Sequence, residues 1–263
     1  MTSRGPQQRR TPVRGRGERV TTPDGGFNPT YQRHVAAYAR CADLLPPDGL
    51  VLDVGAGTGH SAELLAPRES VAVDVDAGAL RGQNRATVVA DMRALPFPDA
   101  HFPSAIAVQS IEHVPDPERA VAEIARVLKR GGVAVIVTPN RLTFARPDEI
   151  IDPYHHVELD ADQLRALCEP HFAEVELRGL FGSDRYRALV ADEHRRLDAL
   201  LRRDPLRLRR FVPRRVRQRL YDLLLARARR DPDPRSGAIT PDDFTLGDAP
   251  LDECLDLVAV CRV

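Results

Sequence analysis

The run Val51-Leu-Asp-Val-Gly-Ala-Gly-Thr-Gly-His60 decides how this chain folds. Its opening residues are mostly apolar and read as a buried parallel strand. Glycine then stands at every second position, at Gly55, Gly57 and Gly59. Without a Cβ, such a turn lets a ligand lie against bare backbone. A helix is expected to follow from about Thr58 to Ala66. In a doubly wound sheet, the loop after the first strand is where nucleotide-like ligands bind. The stretch therefore speaks for a cofactor more than for the molecule acted upon.

Reading outward, Asn28-Pro-Thr-Tyr31 opens an expected helix to Leu45, stopped by Pro46-Pro47. Strands are expected at Leu50–Val54, Ser70–Asp74, Thr87–Asp91, Ala105–Gln109, Val133–Val137, Phe172–Leu177 and Leu255–Cys261. Between them, Pro117 to Lys129 carries Val121, Ile124, Ala125 and Leu128 at helical spacing, and Gly131-Gly132 ends it. Asp160 reads as the N-cap of a helix to Glu169. Strands alternating with helices predict an α/β fold with a doubly wound, mostly parallel sheet covered on both faces. The last strand has no helix directly before it and can enter antiparallel.

Four regions follow: an Arg-rich disordered tail over 1–26, a core over 27–181, a basic helical insertion over 182–238, and a C-terminal strand over 239–263 completing the core. In the insertion, Tyr186, Leu189, Val190, Leu197, Leu200 and Leu201 share one helical face. Val216, Leu220, Leu223 and Leu224 share another, after Pro213. Two or three amphipathic helices forming a lid or subdomain are expected, with Asp231–Gly237 as a flexible link back.

Composition excludes some classes. Hydrophobic residues make up 43% of the 263, enough for a sizeable core. No apolar run reaches membrane-spanning length, and the N-terminus has no secretory apolar region. Cys41, Cys168, Cys254 and Cys261 are scattered, which argues against a metal site or disulfide framework and fits a reducing cytoplasm. Net charge is zero, yet Arg concentrates in the tail and between Asp184 and Arg230. That block is either a solvated lid or a contact for an anionic acceptor or surface.

The spacing narrows the cofactor. A nicotinamide fingerprint wants G-x-G-x-x-G, whereas here the glycines alternate and Asp53 precedes them. Asp74 ends the second strand about twenty residues on, where a carboxylate can accept from both hydroxyls of a ribose. Asp91-Met92 can bracket an adenine, the acid or nearby backbone taking the exocyclic amine and Met92 lying on the ring. Asp53 can order the loop or meet a cationic amino group. No P-loop Lys-Ser/Thr follows the glycines, which speaks against a triphosphate.

The chain resembles the class I S-adenosylmethionine-dependent methyltransferases, in particular their broad small-molecule group. The residues that carry the resemblance are Val51–Gly59, Val73-Asp74, Ala90-Asp91-Met-Arg-Ala-Leu-Pro-Phe-Pro98, Glu112-His-Val-Pro-Asp116 and Ala125-Arg-Val-Leu-Lys-Arg-Gly-Gly132. The resemblance implies a seven-stranded sheet with a reversed last strand, and S-adenosyl-L-methionine as cofactor. It implies that Gly55, Ala56, Gly57 and Gly59 underlie the amino-acid part, that Asp74 and Val75 meet the ribose side, and that Asp91 and Met92 meet the adenine. Gln109 matches a position near the methionine moiety. One departure stands out: relatives often carry Asp after the aromatic before strand four, where Pro103 follows Phe102 here. Altered loop packing is expected there.

His113 and His156 are the candidate proton acceptors, with His155 behind them, and Tyr31 and His34 could cover the cofactor. Methyl transfer needs an aligned acceptor first. A hydroxyl acceptor also needs a base working near neutral pH, which suits histidine. The reading is an enzyme acting on a small molecule, sugar or lipid-linked acceptor, most simply at oxygen, as a monomer or dimer. An RNA methyltransferase is the alternative, but Gln109-Ser-Ile-Glu112 lacks the Asn/Asp-Pro-Pro-Tyr signature of exocyclic-amine enzymes, and no RNA-binding module is evident. A cofactor-binding protein without catalysis is a third reading.

Overall fold

The computed structural model describes residues 28–60, 62–144, 150–202, 208–228, 233–248 and 250–263. The expected tail over 1–26 lies outside them. The strands are β1 Leu50–Val54, β2 Glu69–Asp74, β3 Ala86–Val89, β4 Phe102–Val108, β5 Leu128–Pro139, β6 Glu174–Gly182, β7 Phe244–Gly247 and β8 Asp256–Arg262. The helices are α1 Asn28–Ala42, α2 Pro117–Val127, α3 Arg141–Phe144, α4 Ala161–Cys168, α5 Asp184–Leu201 and α6 Arg214–Ala228.

One eight-stranded sheet runs in the order β3-β2-β1-β4-β5-β8-β6-β7. β1 to β5 pair parallel, and β8 enters antiparallel between β5 and β6. The reversed last strand is therefore as expected, and the strand count is one higher. The extra strand, β7, lies at the edge beside β6. Its four residues are too few to show a period.

Alternation along the strands sorts side chains to two faces. Leu52, Ala105, Ala107, Ala134 and Ile136 pack with Val121, Ile124, Leu164 and Cys168 of α2 and α4. Val51, Ile106, Val108, Val135 and Val137 pack with Ala37, Tyr38 and Cys41 of α1 and with Tyr186 and Leu189 of α5. Both faces are thus covered, as near-continuous apolar strands require. Asp116 caps α2 with Pro117 at its start, and Asp160 with Gln163 forms a full capping box on α4.

Several local expectations change. The helix expected over Thr58–Ala66 is only a 3₁₀ turn, Ala62–Leu65, because Gly57 and Gly59 hold φ of +53° and +66°, outside helical space. β5 begins at Leu128, earlier than expected, running through Gly131-Gly132. β6 runs on through Gly179 and Gly182, where a Cβ would come within 2.5 Å of Cys254 and 2.6 Å of Tyr186. Those glycines permit close packing and do not end the strand. At Pro103, β4 shifts register between Phe102 and Ser104, the altered packing expected where proline cannot donate to the ladder.

The segment expected as a flexible link is ordered from Asp233 onward. Pro234–Ala238 forms a 3₁₀ turn, and Asn28 Nδ2 donates to Ser236 O at 2.6 Å and Ile239 O at 3.0 Å. In the insertion, Tyr186 and Leu189 are buried as expected. The side chains of Leu197, Leu200, Leu201 and Leu224 lie outside the described residues. Val216, Leu220 and Leu223 instead face outward and exposed.

Candidate functional site

The site lies where β1, β2 and β4 end together, at the carboxyl edge of the sheet. Gly55, Gly57 and Gly59 all take positive φ, so the loop turns as only glycine does without strain. A Cβ on Gly55 would meet Ser110 at 2.4 Å, and one on Gly59 would meet Gln83 at 2.3 Å. These two glycines are needed for packing. Above Gly57 nothing lies within 4 Å of where a Cβ would sit, so this residue borders open space. Ala56 between them is buried.

The carboxylate of Asp74 braces the loop. It accepts from Gly57 N at 2.9 Å and from Asp76 N at 2.8 Å. Val75 beside it is 72% exposed, an apolar side chain turned to solvent at the sheet edge. Met92 packs at the other side of the loop, its Cε 3.3 Å from where a Gly55 Cβ would lie. Asp91 is paired with Arg93. Arg93 donates to it from Nε at 3.0 Å and Nη2 at 2.7 Å, and that pairing holds its carboxyl below the usual range.

Asp53 is buried under the loop. Its oxygens accept from Tyr38 Oη at 2.9 Å and pair with Arg85 Nη1 at 2.7 Å. Burial pushes its carboxyl up, against the pull of Arg85 and Tyr38. The two partners come from α1 and from the segment before β3, so Asp53 ties three parts of the fold beneath the glycines.

Gln109 has φ of +47°, a strained setting for a residue with a side chain. Its Nε2 donates to Asp256 Oδ1 at 3.0 Å, and its Oε1 lies 3.2 Å from His34 Nδ1. Asp256 is fully buried and grips Arg33 through two bonds, at 2.7 and 2.5 Å. This network locks α1 to β4 and β8.

Sequence reasoning passed over His60. Its ring lies 5.0 Å from that of His34 and 5.2 Å from that of Tyr31, forming an aromatic cluster beside the glycine loop. Burial lowers His34 to about 4 and His60 to about 3, so both rings are neutral near pH 7. Both ring nitrogens of His60 and the hydroxyl of Thr58 are buried with no hydrogen-bond partner among the described residues. Buried polar atoms are almost always paired. Three such atoms on one loop, beside the open space over Gly57, fit a bound polar ligand.

The second half of the site follows β4. The turn Ile111–His113 presents His113, whose ring lies 5.0 Å from that of His155. His155 is buried, and its Nδ1 lies 3.0 Å from Glu158 Oε1. Burial opposes protonation of His155, but Glu158 and Glu112 outweigh it and raise its pKa. Glu112 is buried too, and Thr138 Oγ1 donates to it at 3.2 Å. Burial pushes its carboxyl up while His113 and His155 pull it down. Nitrogen or oxygen atoms of Glu112, His113 and His155 all lie within 4.8 Å of one another.

His156 is separate from this cluster. It is exposed, and Arg214 of α6 sits over it with Nη1 2.6 Å from Nε2. Partial burial and that guanidinium lower its pKa. The structure thus brings His113 together with His155, while His156 meets the insertion.

Residues 52–136 match the family described as "Methyltransferase domain". A probable S-adenosylmethionine-dependent methyltransferase of Mycobacterium tuberculosis is 38% identical over 185 residues, covering 66% of this chain and 67% of the relative. A probable S-adenosylmethionine-dependent methyltransferase of Mycolicibacterium smegmatis is 34% identical, covering 61% of this chain and 65% of that one. Among solved structures, a possible histamine N-methyltransferase from Thermotoga maritima superposes with a TM-score of 0.59 at 18% identity, over 90% of this chain and 91% of that one.

Proposed function

The chain belongs to the S-adenosylmethionine-dependent methyltransferases, and from that premise we propose that it methylates a small-molecule, sugar or lipid-linked acceptor at oxygen. The cofactor supplies a methyl group already activated by a sulfonium.

What the chain's own residues contribute follows from their surroundings. Gly57 offers bare backbone under open space. The hydroxyls of a ribose would join or replace the two amides that donate to Asp74. Val75 and Met92 supply apolar surface for an adenine. Because Arg93 engages the Asp91 carboxylate, the backbone around Asp91-Met92 is the better partner for the exocyclic amine. Asp53, engaged by Tyr38 and Arg85, acts by ordering the loop. Gln109 holds its strained place at the end of β4 through Asp256. His34 and His60, neutral by burial, add no positive charge beside a cationic cofactor.

The observation that favours oxygen is the pairing of His113 with the His155–Glu158 dyad. An alcohol must give up its proton as the new bond forms, and an imidazole beside a carboxylate-backed partner can take it. His113 is our proton acceptor, and His155 positions it. His156 is better read as a contact that ties its own segment to α6 through Arg214. A cytoplasmic location belongs to this reading. It is tested by transfer of labelled methyl onto fractionated extract, with mass identification of the product. A methylated hydroxyl is expected. A methylated amine or carbon would refute the oxygen assignment while leaving the methyltransferase class intact.

A further inference from the structure

α6 is turned inside out. In a helix that covers a core, the apolar stripe faces inward. Among the described side chains of α6, polar ones do. Arg214 donates to Pro153 O at 2.7 Å and Tyr154 O at 2.8 Å. Tyr221 Oη donates to Asp152 at 3.0 Å, and Asp222 accepts from Tyr154 Oη at 2.8 Å. These bonds fix one side of the helix on the segment Asp152–His156. At helical spacing, the opposite side carries Val216, Leu220 and Leu223, which are 51%, 56% and 67% exposed. Phe211 and Val212, just before the helix, are exposed as well, Phe211 by 83%. Arg215 and Arg219 flank the stripe and are exposed. The one carboxylate in α6, Asp222, is turned inward to Tyr154.

We propose that this outward face docks the protein onto an anionic lipid surface. An amphipathic helix with apolar side chains on one face and arginines at its borders lies in the headgroup layer, the apolar residues buried and the guanidinium groups on phosphates. A contiguous exposed apolar patch of this kind marks a contact surface, and its basic border selects negative charge. The inner face of the same helix holds the segment carrying His155, so docking sets the acceptor cleft beside the lipid headgroups. That last step rests on the methyltransferase reading; the docking itself does not.

The test is co-sedimentation of the full chain with phosphatidylglycerol–phosphatidylcholine vesicles and with phosphatidylcholine vesicles alone. Binding to the anionic vesicles is expected, falling as salt rises. Leu220→Ser with Leu223→Ser should weaken it roughly tenfold or more. Arg215→Gln and Arg219→Gln should each weaken it roughly fivefold. All four positions are exposed, and unchanged circular dichroism and S-adenosylmethionine titration heats will show that the fold and cofactor site persist. Equal binding to both vesicle types, no binding, or binding indifferent to the four substitutions would overturn the proposal. So would a dimer in light scattering that Leu220→Ser with Leu223→Ser dissociates, since the face would then belong to a second copy.

Discussion

Asp74 accepts from two backbone amides at the end of β2, and one of them is the amide of Gly57. That arrangement makes it a brace for the loop, and the proposed ribose contact would add to those bonds. Asp74→Ala should weaken S-adenosylmethionine binding by about 1–3 kcal/mol, the range for losing a charged hydrogen-bond partner. Isothermal titration reads this directly, and an unchanged affinity would remove Asp74 from the cofactor site. Asp74 and Gly57 were legible in the sequence because their spacing from β1 is local. His60 stands beside the glycines in sequence, but a lone histidine gives no period that marks a role. Only the fold shows its ring beside His34 and Tyr31, with both nitrogens unpartnered among the described residues. The choice between His155 and His156 was equally hidden. Neighbours in sequence, they point one to Glu158 and the other to Arg214. The Gln109–Asp256–Arg33 network joins residues far apart along the chain, which no local pattern encodes.

Elements with strong local chemistry were read close to their true bounds. β1 was placed correctly from its apolar run, and α4 from the Asp160 cap. Asp160→Ala removes the side-chain half of the capping box, the bond it accepts from Gln163 N at 3.0 Å, and the pairing with Arg141 Nη2 at 2.5 Å. It should lower unfolding stability by roughly 1–2 kcal/mol, measured as a shifted urea midpoint with unchanged slope. No shift would mean that α4 is held by packing of Leu164 and Cys168 alone. Glycine misled in both directions. At Gly59 it forbids the helix that sequence pattern suggests, and at Gly179 and Gly182 it permits close packing inside β6, beyond the strand end expected at Leu177. Val216, Leu220 and Leu223 of α6 share a face in the sequence pattern, yet periodicity reports which residues align, not which way they point.

At the scale of the molecule, burying His34 and His60 makes stability depend on pH. Burial lowers His34 to about 4 and His60 to about 3 in the folded state, against about 6.5 when unfolded. The folded state therefore binds fewer protons between these values. The associated stability is fully present above pH ~6.5 and is lost as pH falls toward the folded values. Each ring should cost about 1.4 kcal/mol per pH unit within that window. Urea unfolding at pH 7 and pH 5 checks this, and His34→Asn should flatten the difference. A stability independent of pH over that range would mean that the rings are solvated. The proposed site residues converge on the carboxyl edge of the sheet, at the loop after β1, Asp74 ending β2 and His113 after β4. A crystal structure with S-adenosylhomocysteine bound tests that convergence most directly. Its density should lie over Gly55–Gly59, with ribose hydroxyls on Asp74 and a polar atom within reach of His60 or Thr58. Density elsewhere on the chain, or a ribose that leaves Asp74 untouched, would contradict the account.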